Sequence, residues 1–183
     1  MSLWSTIIEL FANSASGKKS EPPLIKSGTP INSNEIIEEA SKWIGLDEKS
    51  PGVNVFRMAA DQKADGEAWC AAFVIYCARA VALRHGREPS IHLSELCYEM
   101  WQKSPKECRL SLPEPGCIIV WNTPGTLRGH TGIVEKVLPD SVIITIEGNT
   151  SGGKDEPHGV HRRSRAVAGT PGLHVLGFLK PFI

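Results

Sequence analysis

The sequence predicts an α+β domain, and three observations carry that expectation. Apolar residues recur at helical spacing through the first half of the chain. After Pro113 they shorten into β-prone runs divided by Pro, Gly, Asp and Asn. The helical patterns all precede the strands, whereas a doubly wound fold would alternate the two. The 183 residues, 41% hydrophobic and 22% charged, suffice for one domain with its own core. Their 20 Lys plus Arg balance 20 Asp plus Glu, so no basic surface is advertised and nucleic acid is not the expected partner. Arg162, Arg163 and Arg165 form only a local patch. The apolar stretch from Val142 to Ile146 stops far short of the roughly 20 residues a membrane-spanning helix needs, so no membrane span is expected.

Leu3, Ile7, Ile8 and Phe11 predict a short amphipathic helix at residues 3–12, which lacks the basic start of a secretory signal and carries Glu9 within its run. Its expected role is docking on its own domain, because a membrane-surface helix would show Lys or Arg on its polar face. Residues 13–33, rich in Ser, Gly, Pro and Asn, read as a tether, which leaves 34–183 as the folded unit. Ser33 or Asn34 is expected to cap a helix running to about Ile44, with Gly45 as its stop. Trp69, Ala72, Phe73, Tyr76, Cys77 and Ala80 describe a buried central helix from Trp69 to about His85. A third helix is expected over Ser94 to Gln102. Strands follow at Gly116 to Trp121, Thr131 to Leu138, Ser141 to Gly148, Gly159 to Arg165 and His174 to Phe182. Pro139 and Asp140 should join the second and third as an antiparallel hairpin.

Five cysteines, Cys70, Cys77, Cys97, Cys108 and Cys117, cannot all pair, and none shows the spacing of a structural zinc site. Most read as small apolar filling. Cys70 differs because it falls in the first turn of the central helix, where unpaired N–H groups and the positive end of the dipole favour a thiolate. Cys77 lies seven residues on, roughly 10 Å along the helix, and is read as core. Asp65 and Glu67 are read as caps, since a carboxylate beside Cys70 would oppose thiolate formation.

His130 opens a strand, and Gly132 on the same face leaves room for a group to approach the imidazole. In the next strand, alternation groups Thr145, Glu147 and Asn149 on one face. The hairpin then brings Glu147 beside His130, where a carboxylate would fix the ring tautomer and support an imidazolium.

Ala68-Trp69-Cys70-Ala71-Ala72-Phe73-Val74, Pro115-Gly116-Cys117, Gly129-His130-Thr131-Gly132 and Glu147-Gly148-Asn149-Thr150 resemble, in order, the motifs of the CHAP family of cysteine, histidine-dependent amidohydrolases and peptidases. The likeness extends over about residues 35–182. It implies a papain-like fold, with a nucleophile at a helix start packed on a mostly antiparallel sheet, and hydrolysis of peptidoglycan amide bonds. The catalytic residues it implies are Cys70 as nucleophile, His130 as general base, Glu147 as orienting acid and Asn149 as an accessory polar residue. No cofactor and no metal are implied. The sequence departs from the family pattern at Ala68, where relatives often carry Pro, and at Cys117, where an Asp is common.

The substrate implied is the stem peptide or cross-link of peptidoglycan, cut by an endopeptidase or an N-acetylmuramoyl-L-alanine amidase acting on the wall after lysis or dedicated export, as a phage lysin or exported toxin would. Targeting would come from the catalytic domain or a delivery partner. Two other classes share these residues: a non-catalytic wall-binding scaffold on the same fold, and an acyl transferase using the same nucleophile.

Overall fold

A computed structural model of the chain describes residues 29–60, 68–151, 153, 156–169 and 172–183. The helix expected at 3–12, most of the tether, and the caps Asp65 and Glu67 lie outside the described residues. Within them, helices α1 (Asn34–Ser41), α2 (Gly52–Ala59), α3 (Cys70–Arg84) and α4 (Cys97–Lys103) come first, followed by a 3₁₀ turn at Lys106–Cys108. Six strands follow: β1 (Arg109–Leu110), β2 (Ile118–Asn122), β3 (Gly129–Leu138), β4 (Val142–Ser151), β5 (His158–Ala166) and β6 (His174–Leu179). They form one sheet in the order β1-β6-β2-β3-β4-β5, and every neighbouring pair is antiparallel. This is an α+β fold of the papain-like kind, as the sequence predicts.

The cap of α1 differs from expectation. Neither Ser33 nor Asn34 supplies it; Asn32 Oδ1 accepts from the Asn34 N–H and Glu35 Oε1 accepts from the Asn32 N–H, a reciprocal arrangement centred one residue earlier. The helix ends at Ser41 rather than near Ile44, and the chain turns through to Gly45 at φ +89°. Helix α2 is absent from the sequence reading, and it seats Val53, Phe56 and Ala59 in the core.

Helix α3 is buried nearly all round, from Cys70 through Ala78 and again at Ala80 to Ala82. Such a helix must lie between layers rather than on the surface. One sheet face, with Ile118, Val120, Ile133, Ile146 and Val160, joins α1, α2 and α3 in the main core. The other face gathers Ile119, Trp121, Val134, Ile143 and Phe178 in a smaller cluster. Between α3 and β4 the contact is backbone-close: a Cβ on Gly148 would stand 2.6 Å from Phe73 Cβ and 2.7 Å from Trp69 Cζ3. The hairpin joins β3 to β4 as expected, but its left-handed residues are Asp140 and Ser141, at φ 61° and 57°.

Candidate active site

The first turn of α3 sets the position of Cys70. Trp69 precedes it in a non-helical conformation, and the close fit of Trp69 and Phe73 over Gly148 fixes that end of the helix against β4. The Cys70 side chain is buried. Its thiol is held well below the ordinary value: a hydrogen bond with Cys97 contributes most, burial opposes it, and His130 and the Ala71 N–H add to the lowering. The same hydrogen bond, together with burial, pushes the Cys97 thiol well up. The opposite directions of the two thiols suit a Cys97 S–H that donates towards a Cys70 thiolate.

His130 is the second residue of β3 and pairs with Trp121 of β2. Its ring stacks on the indole at 5.7 Å between centroids and 22° between planes. Its Nε2 lies 2.8 Å from Glu147 Oε2. Burial would lower the pKa of the imidazole, but the hydrogen bonds to Cys70 and Glu147 and the two negative charges outweigh it and raise the group to about 10. Both directions, Cys70 down and His130 up, favour a thiolate beside an imidazolium.

Glu147 has no solvent exposure. Four donor contacts compensate it: His130, Thr145 Oγ1 at 2.6 Å, and two nitrogens of Arg165, of which Nε is 2.8 Å from Oε1. Burial alone would raise its pKa; Arg165 and His130 reverse that and bring it to about 2. The space left by Gly132 is filled by this carboxylate's own side chain, because a Cβ at Gly132 would stand 2.6 Å from Glu147 Cγ.

The structure thus brings together Cys70, His130 and Glu147. Asn149 lies two residues beyond Glu147 in β4, at φ 53°, where the β4–β5 register shifts. Among the described residues its side chain makes no hydrogen bond to the other three. Cys77 is buried core with its thiol pushed up by burial. Cys117 accepts from the Glu114 N–H at 3.3 Å, and burial pushes its thiol up to about 12. His161 bonds the Pro157 carbonyl instead of joining the site. Two participants escape the sequence reading, Cys97 of α4 and Arg165 of β5. Thr145, which alternation places on the Glu147 face, takes a role there that the sequence reading does not give it. No group of three or more His, Cys, Asp or Glu among the described residues could hold a metal ion.

Residues 62–149 match the family model of the CHAP domain. The match covers just under half of the chain and supports a CHAP domain in the segment that carries the site. The match takes in Cys70, His130 and Glu147 and stops before Arg165. No curated protein matches the chain. A solved structure titled "The crystal structure of Ly7917" is similar at 16% identity and a TM-score of 0.46, over 82% of this chain and 62% of that one. The chain therefore spans less than two thirds of that protein's length.

Proposed function

We propose that this protein hydrolyses amide bonds in the stem peptide or cross-link of bacterial peptidoglycan, or at the muramoyl to L-alanine junction, by acyl transfer to Cys70. The observation that carries this reading is the His130 imidazole held by Glu147 at 2.8 Å, with Cys70 at the start of α3 as the thiol that the same ring lowers. The thiolate attacks the carbonyl carbon, and the oxygen takes up the negative charge. The N–H of Cys70, unpaired at a helix start, is the donor proposed to meet it. His130 gives its proton to the leaving amine, and the carbon–nitrogen bond breaks to leave a thioester. The neutral imidazole then takes a proton from water, whose oxygen displaces the sulfur and releases the acid. Glu147 holds the ring through both halves and supports each return to imidazolium. Asn149 is kept in the reading as an accessory polar residue, on its place in the motif.

Bond type follows from the groups present. Glycoside hydrolysis canonically needs two carboxylates flanking the bond, whereas Glu147 is buried and occupied by Arg165. Purified sacculi digested with the protein should yield new amino termini or lactyl-amidase products, with the disaccharides intact by mass spectrometry. The Cys70→Ala variant should release none. New reducing ends would refute the reading, and no release from any wall type would favour the scaffold.

A further inference from the structure

Four adjacent strands converge on one carboxylate. Trp121 of β2 stacks on His130 of β3, which bonds Glu147 of β4, which is gripped by Arg165 of β5. Arg165 lies opposite Ile143, four residue pairs along the ladder from Glu147–His161 and two along the same face, so its side chain must pass the Thr145–Arg163 pair to reach the carboxylate. Its guanidinium carbon is also 5.7 Å from the centroid of the Trp121 ring that supports His130. The cluster closes on itself, with imidazole and guanidinium sharing one carboxylate and one indole.

Charge gives this geometry a function. With Cys70 as thiolate and His130 as imidazolium, the order Arg165, Glu147, His130, Cys70 runs plus, minus, plus, minus, and the buried group is neutral as a whole. Remove the guanidinium and the same resting state carries a net negative charge in a desolvated place, a cost borne first by Glu147 and passed through His130 to the thiolate. The charged or titratable groups facing Glu147 are His130 and Arg165, with His161 opposite it in β5 bonded to the Pro157 carbonyl; those facing His130 are Glu147 and Cys70; and Cys70 also meets Cys97 of α4. Arg165 is the fixed positive charge among them.

We propose that Arg165, outside the segment matched by the family model, is a positioning residue that holds Glu147 in the geometry bonded to His130 and supplies the charge that keeps the thiolate–imidazolium pair neutral with its surroundings. The inference rests on the reading of Cys70 and His130 as nucleophile and base. A neutral substitution raises every proton affinity in the row, so the acid limb of thiolate formation moves to higher pH.

The test is the rate of iodoacetamide alkylation at Cys70, located by peptide mapping, as a function of pH in wild type, Arg165→Gln and Arg165→Lys. This readout needs no wall substrate. Arg165→Gln should move the acid limb up by about one pH unit, which is a tenfold loss of thiolate at a given acidic pH. Arg165→Lys keeps the charge but loses the fork, so it should lie between the two. If Arg165→Gln fails to fold, the displacement in Arg165→Lys decides. A limb that stays in place in the folded variants, with only the melting temperature lowered, would overturn the proposal and leave Arg165 a structural partner of Glu147. A wild-type Cys70 that titrates as an ordinary thiol would instead strike at the nucleophile reading itself.

Discussion

At Cys70 the largest influence on the thiol is another thiol. Cys97 is buried beside it and holds its own proton, so it acts as a donor in a place where water cannot take over. Removing that donor should raise the Cys70 pKa, and restoring a hydroxyl should lower it again. Titration of the ultraviolet thiolate absorbance, taken as the difference from Cys70→Ala, should show the acid transition shifted to higher pH in Cys97→Ala and shifted less in Cys97→Ser. Equal curves for all three proteins would show that the hydrogen bond contributes nothing to the thiolate. In the sequence, Cys97 reads as filling. Its burial matches that reading, but its partner does not, because nothing in the spacing of 70 and 97 tells that α4 begins against the first turn of α3.

The same division runs through the elements. The central helix, the hairpin and most strand positions are legible, since each leaves a period in the apolar residues or a turn residue at its end. Helix α2 is not, because it opens on Gly52 directly after Pro51, a pair that marks a turn rather than a helix start. Two-residue β1 has no periodicity to read. Cys70, His130 and Glu147 are legible for a physical reason: a helix start and strand alternation fix them locally. Arg165 needs the β4–β5 register, which no local pattern sets. The junction of α3 with β4 is where element packing controls the site, and Gly148 is its contact point. Gly148→Ala inserts a methyl group against Phe73 and Trp69, neither of which is at the end of a flexible chain. The expected cost is about 1–3 kcal/mol in denaturant unfolding, with loss of Cys70 reactivity as the helix start is displaced. Unchanged stability and reactivity would mean that the helix and strand are not in backbone-close contact.

Across the whole molecule, five free thiols are all buried and none is in a disulfide. Burial pushes up Cys77, Cys108 and Cys117, and Cys97 is raised first by its bond to Cys70 and then by burial. Cys70 alone of the five is lowered, by groups drawn from α3, α4 and β3, and behind His130 by β4 and β5. These directions predict that alkylation concentrates at one sulfur. The direct measurement is treatment of the native protein near neutral pH with less than one equivalent of iodoacetamide, followed by peptide mapping of all five cysteines. Label at Cys70, fast in wild type and slowed in His130→Ala, is the expected result; label spread over the other cysteines, or at Cys70 with no dependence on His130, would contradict it.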